Sequence, residues 1–228
     1  MLRNLILAGG VYHPAEQSGL PLVEILRDAG LDSEVEVDIE RGLRRLAAGE
    51  FQRLTVACLR FTMVQNEKYA PFRAQWALSL SDTGRATIRA YIASGKGLLG
   101  LHTAPISFDD WAEWPALLGV GWRWGQSFHP PLADAEAQAM TDHPITQGMA
   151  GFHVADEIYS DLVIAPWMAP LVHARHTEAD AWRPIVFAGE DQGCRRAYCG
   201  FGHDAASFAE AGHRALIVRA ARWVGRDL

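Results

Sequence analysis

The feature that most constrains this chain is the alternation of short apolar runs with helical stripes between Leu5 and Leu101. Leu5 to Ala8 is apolar throughout and stops at Gly9-Gly10, the pattern of a strand buried on both faces of a parallel sheet. Ser18 to Ala29 carries Leu22, Val23, Leu26 and Ala29 at helical spacing and closes at Gly30. Val35 to Ile39 alternates with period two and reads as a strand. A short helix follows through Leu43, Leu46 and Ala47, ending at Gly49, and Leu54 to Leu59 is a third strand. Ser81-Asp82 suits the cap of a helix over Thr83 to Ala93, and Gly97 to Leu101 is a minimal fourth strand. Such strand–helix units imply right-handed crossovers and a parallel sheet. The aromatic stretch from Phe61 to Leu80 fits no element.

Beyond His102 the pattern loosens. Asp109 to Leu118 predicts a helix. Gly121 to Ala139 and Phe152 to Ile158 predict short strands within loops. Leu171 to Arg175, Ile185 to Ala188 and Arg196 to Phe201 read as further strands. A last helix is expected over Phe208 to Val224. The 228 residues show no repeat or linker and predict one domain over 1–228.

Composition narrows the function classes. A net charge of −6 with no basic run argues against a nucleic-acid surface. No apolar run reaches the length of a membrane span, and the N-terminus lacks a cleavable leader, so a cytoplasmic protein is expected. Three cysteines, Cys58, Cys194 and Cys199, are too few and odd in number for a disulfide framework. Of eight tryptophans, five fall between Trp76 and Trp124, a density that suits either core or the rim of a pocket.

Ligands of open α/β sheets lie beyond the carboxyl ends of the strands. His13 follows the first strand, His102 the fourth, and His203-Asp204 the strand ending at Phe201. His129, in Ser127-Phe128-His129-Pro130, and the pair Asp156-Glu157 lie in the irregular region that can fold over the same edge.

The stretch Gly97-Leu98-Leu99-Gly100-Leu101-His102-Thr103-Ala104 resembles the sharp turn of trehalose-utilisation (ThuA-like) proteins, relatives of class I glutamine amidotransferases. The resemblance continues, in family order, through Phe128-His129-Pro130, His143-Pro144-Ile145-Thr146 with Gly148-Met149, Asp156-Glu157-Ile158-Tyr159, Pro184-Ile185-Val186-Phe187 and Gly202-His203-Asp204. The first ninety residues match only in pattern and in the Gly9-Gly10 turn before His13. The resemblance implies a flavodoxin-like three-layer α/β fold with a mostly parallel central sheet and a site at its carboxyl edge.

In the amidotransferase relatives this turn carries a nucleophilic cysteine, and here His102 stands in its place. Imidazole cannot form the glutamyl thioester of that route, so glutaminase activity is not expected. The resemblance implies instead a carbohydrate-type small-molecule ligand, such as a trehalose-like disaccharide or an oxidised sugar, and admits a homo-oligomer. His102, His203, Asp204 and Glu157 are the candidate catalytic groups for His-centred acid–base chemistry. His13, His129, Asp156, Trp122 and Trp124 are candidate ligand contacts. His102, His129 and His203 are also the candidate ligands of a divalent metal such as zinc, although no H-x-H or H-E-x-x-H spacing supports one. The alternative is a non-catalytic carbohydrate-binding or accessory protein with a degenerate site. His143, His153, His173, His176 and His213 read as structural.

Overall fold

A computed structural model describes residues 1–227. Its first half is the alternating unit expected. β1 (Leu2–Gly10) leads through the short helices α1 (Ala15–Ser18) and α2 (Leu20–Asp28) to β2 (Leu31–Glu36). Next come α3 (Ile39–Ala47) and β3 (Arg53–Leu59). A 3-10 helix (Glu67–Phe72), α4 (Arg73–Trp76) and α5 (Asp82–Ala93) connect to β4 (Leu98–Leu101). Ser81 caps α5 as its sequence predicts, its hydroxyl accepting from Gly84 N–H at 3.0 Å.

The second half holds α6 (Trp114–Leu118), β5 (Val120–Gly121), β6 (Ala133–Ala139), β7 (Phe152–Asp156), β8 (Val163–Ile164) and β9 (Ala169–Arg175). It closes with β10 (Arg183–Asp191), β11 (Cys194–Cys199), α7 (Ala205–Ala209) and α8 (Ala211–Val224).

Nine strands form one sheet in the order β2-β1-β3-β4-β11-β10-β9-β6-β7, while β5 and β8 pair separately. The sheet is mixed rather than mostly parallel. The four ladders joining β2, β1, β3, β4 and β11 are parallel, and the four from β11 out to β7 are antiparallel. The cause is local. β10 and β11 are joined by Gln192-Gly193, both at positive φ, 50° and 74°, the backbone of a two-residue hairpin that must reverse the chain.

Alternate residues of β1 enter two cores. Ile6 and Ala8 pack with Leu22 and Leu26 of α2 and with Leu216 and Ile217 of α8. Leu5 and Leu7 pack with Leu43 of α3 and Ile88 of α5. Leu5 to Ala8 have no solvent exposure, which explains an apolar run without alternation. Helices therefore cover both faces of the parallel half, giving three layers.

Three expected boundaries move. Val37 to Ile39 leave the strand because the Asp38 carboxylate accepts from Arg41 N–H at 3.0 Å and starts α3 there. The helix expected over Asp109 to Leu118 is confined to α6, with turns filling the residues before it. Asp109 instead accepts from Thr62 N–H at 2.7 Å, tying that loop to the unassigned stretch after β3. The last helix splits at Glu210, whose extended backbone (ψ 131°) breaks the helix and whose carboxylate caps His213 N–H at 2.7 Å.

His213 is wholly buried, with its Nδ1 2.9 Å from the Ser207 carbonyl oxygen. Burial lowers its pKa, against smaller raising effects of Ser207, Asp156 and Glu210. A proton therefore binds the unfolded chain more readily than the folded one. The contribution of His213 is complete above about pH 6.5 and is lost as the pH falls through its folded pKa. Urea unfolding midpoints should accordingly drop between pH 7 and 5 by more in the wild type than in His213→Leu. Equal drops in the two proteins would show that another group carries the effect.

Candidate functional site

The carboxyl ends of β1, β3, β4 and β11 open on one side of the sheet, and the loops after them converge there. His13 sits on the turn after β1, where its N–H donates to the Gly10 carbonyl at 3.3 Å. His102 directly follows β4. Its backbone is left-handed (φ 42°), its N–H donates to the Cys199 carbonyl at 2.8 Å, and its own carbonyl accepts from Tyr198 Oη at 2.8 Å. A β-branched residue would be strained at that φ, and the two hydrogen bonds to β11 hold the turn in place. His203 lies two residues before α7.

Asp156 and Glu157 arrive from the far side. β7 is the ninth strand of the sheet, four places from β11. Nevertheless Asp156 Oδ2 accepts from Gly202 N–H at 2.7 Å and from the Ser207 hydroxyl, and Oδ1 accepts from Glu157 N–H at 2.8 Å. The antiparallel half thus curls back toward the carboxyl edge, and the buried Asp156 carboxylate braces the Gly202–Ser207 loop. Asp156 acts on this backbone rather than on the cavity. Asp204, expected among the catalytic groups, has its carboxylate at the N-terminus of α7, accepting from Ala206 and Ser207 N–H at 2.9 and 3.1 Å.

Glu157 is the centre of the remaining polar groups. Its Oε2 is 3.6 Å from His102 Nε2 and 3.5 Å from His203 Nδ1, and its Oε1 is 3.3 Å from His129 Nδ1. The rings of His13, His102 and His203 lie edge to face, with centroids 4.9 to 5.5 Å apart. One ring nitrogen from each of these three falls within 4.8 Å of the others. This group differs in one member from the metal set expected from sequence. His13 takes the place given to His129, whose Nδ1 faces the Pro130 carbonyl oxygen at 3.1 Å and whose ring stacks on Tyr159.

Burial governs the titration of this cluster. It lowers the pKa of His13 to about 3, helped by the neighbouring His102 and His203, and that of His102 to about 4. Glu157 raises the pKa of His203 against the opposing effect of burial. Burial alone would raise the pKa of Glu157, but His203, His102 and His129 outweigh it and hold the carboxyl below its ordinary value.

Above the cluster is a cavity of about 330 Å³. Tyr12, His13, Glu157 and His203 line it together with Phe61, Tyr69, Trp122 and Trp124. Trp124 packs at 5.5 Å on Phe61, and Trp122 at 5.3 Å on Tyr159, so both tryptophans belong to the cavity wall and to the core beneath it. Tyr69 and Lys68, which also line the cavity, come from the stretch that the sequence left without an element. Aromatic density was the one signal there. Tyr159 stood inside the Asp-Glu-Ile-Tyr motif but attracted no role, because a tyrosine in a short strand reads as core.

Among the described residues, no thiol joins the site. Cys58, Cys194 and Cys199 are buried, and burial raises the pKa of each, that of Cys58 to about 11.

A profile of trehalose-utilisation (ThuA) proteins matches residues 8–224. The chain belongs to the trehalose-utilisation family. Solved structures carry the same fold. A ThuA-like protein of Parabacteroides merdae superposes with a TM-score of 0.76 at 17% identity, over 98% of this chain and 90% of its own. A glutamine amidotransferase of Thermotoga maritima gives 0.52 at 11% identity, over 88% and 75%. A cold-adapted β-galactosidase of Rahnella gives 0.61 at 10% identity, over 97% of this chain but 31% of its own. At such identities these likenesses establish the fold alone. No curated protein matches the chain significantly. Among the described residues, no helix of this ThuA-family protein is long and apolar enough to cross a membrane.

Proposed function

We propose that this ThuA-family protein acts on a sugar or sugar derivative by acid–base chemistry centred on Glu157 and His203. The observation that carries the reading is the Glu157 carboxylate, set among the imidazoles of His102, His129 and His203 on the wall of an aromatic cavity. In the metal-free protein Glu157 favours the charged form of His203, and the histidines hold the Glu157 carboxyl below its ordinary value, so the carboxylate is a candidate proton acceptor and the imidazolium a candidate donor. Trp122, Trp124 and Tyr69 line the cavity, an aromatic lining that suits the apolar face of a pyranose, and Lys68 with His129 offers polar contacts to its hydroxyls. The volume is at the small end of ligand pockets, roughly 300–1,000 Å³, and so fits one sugar ring better than a long chain. The ligand in this reading is a small molecule rather than nucleic acid. We read the parallel half, ordered β2-β1-β3-β4-β11, as flavodoxin-like, a reading that its strand order supports and that goes with a ligand site at the carboxyl edge.

The two lining tryptophans supply the test. Trehalose, glucose and their oxidised derivatives, titrated against intrinsic fluorescence, should include a ligand that shifts the emission. Turnover of that ligand should fall at least about 100-fold in Glu157→Gln and in His203→Ala, the scale of losing a general acid–base group. Circular dichroism should show both variants folded. Ammonia should not be released from glutamine. A glutaminase activity lost in Cys58→Ala, or unchanged sugar turnover in Glu157→Gln, would overturn the reading.

A further inference from the structure

We propose that His13, His102 and His203 bind one divalent first-row transition ion, zinc by preference. This deepens the reading of the same site by naming its cofactor: with the ion bound His203 serves as a ligand and Glu157 keeps the acid–base role, and the inference rests on that reading only for what the ion would act upon.

The first ground is the direction of the ring nitrogens. His102 Nδ1 is 2.7 Å from the Gly200 carbonyl oxygen, and His13 Nδ1 is 3.3 Å from the His203 carbonyl oxygen. A carbonyl oxygen carries no proton, so in each pair the ring N–H must be the donor. Both neutral imidazoles are thereby fixed with Nε2 unprotonated. This is the arrangement by which backbone carbonyls orient metal-binding histidines.

The second ground is what these nitrogens lack. His102 Nε2 and His203 Nδ1 are both buried without a hydrogen-bond partner. Each sits about a van der Waals contact from Glu157, at 3.6 and 3.5 Å, too far to be bonded to it. An unsatisfied buried polar atom is costly, and two in one cluster call for a shared partner. A cation between the rings supplies it.

Size and chemistry agree. Zinc holds imidazole nitrogen at about 2.0–2.1 Å, which in a tetrahedron places the ligand atoms about 3.4 Å apart. The three nitrogens here lie within 4.8 Å of one another, so closing the set asks for changes in their separations of about 1.4 Å or less. Three imidazoles and no thiolate favour zinc, cobalt or nickel over magnesium or calcium, which prefer oxygen. Three protein ligands leave a fourth position open, and Glu157 is a carboxylate beside two of the three rings.

Cobalt(II) provides a readout independent of activity. Chelator-treated protein titrated with Co²⁺ should develop the visible absorption of a low-coordinate cobalt centre, saturating at one equivalent. One equivalent of Zn²⁺ should bleach it. His13→Gln and His203→Gln should each weaken zinc affinity by more than the roughly 10–100-fold typical of outer-shell changes. His129→Gln should leave it near the wild-type value. His13→Asn, checked by circular dichroism, serves if His13→Gln fails to fold. Absence of a one-equivalent cobalt spectrum in the wild type overturns the proposal, as does a spectrum retained in folded His13→Gln or lost in His129→Gln. Sugar binding is read separately by fluorescence on metal-free and zinc-loaded protein. Metal binding without any sugar response would refute the proposed function and leave the ion site standing, and the converse result would refute the ion site alone.

Discussion

Asp156→Ala should destabilise the protein by about 3 kcal/mol or more and detach the loop that carries His203. The carboxylate has no solvent exposure and accepts from Gly202 N–H, Glu157 N–H and the Ser207 hydroxyl. Hydrogen bonds to a charged group contribute roughly 1.5–3 kcal/mol each, and they are not additive. Alanine would also leave the donors buried without acceptors. An asparagine side chain falls between the two, because an amide has one accepting oxygen where the carboxylate has two. Asp156→Asn should therefore lose about half as much as alanine, with its NH₂ turned toward a donor it cannot satisfy. Urea unfolding of the three proteins gives the order directly. If both variants stay within about 1 kcal/mol of wild type, the brace contributes no more than an ordinary surface contact.

Gly10→Ala is the second large effect, again expected at about 3–5 kcal/mol. Gly10 ends β1 beside Leu59, the last residue of β3. Its φ is +156°, and a Cβ there would stand 2.2 Å from the Leu59 carbonyl oxygen and 2.7 Å from its carbonyl carbon. Those atoms are backbone at the end of a ladder and cannot rotate away. Relief requires the carboxyl ends of β1 and β3 to part, which also moves His13. Gly30→Ala separates the two causes. Gly30 has positive φ too (+85°), but no atom lies within 4 Å of its Cβ position, so only the backbone cost of about 1 kcal/mol should appear. Equal losses at the two glycines would show that backbone strain, not the clash, sets the cost at Gly10.

The parallel half of the fold was legible because its signals are local. An apolar run buried on both faces, a glycine stop and a helix cap at Ser81 each act within a few residues. Asp38 shows where such reading slips, since an alternating segment was ended by a cap that the alternation does not reveal. The antiparallel half was harder. Its strands are short, and the curl that returns β7 to the carboxyl edge is a property of the sheet, not of any segment. The reversal at Asp191-Gln192-Gly193-Cys194 did carry a hairpin signal in its glycine. In the candidate site, His13, His102 and His203 were legible as histidines that follow strands, and Glu157 as part of a motif resembling the family's. Choosing His13 over His129 for the three-imidazole cluster needed the third dimension, because no spacing along the chain relates residues 13, 102 and 203.

That cluster draws on residues far apart in the sequence. The contact between the His13 ring and the His203 backbone closes a loop of 190 residues, and Asp156 must reach Gly202 before the second of those is held. A chain emerging from the ribosome thus lacks this cluster until β11 and the loop after it are available. Contacts so distant in sequence are also slow to form. Incomplete chains would carry the exposed edges of the early strands without any ligand to stabilise them. Protection from proteolysis by any ligand of this cluster should consequently arise in one step, once residues 202–207 are made, rather than growing as synthesis proceeds.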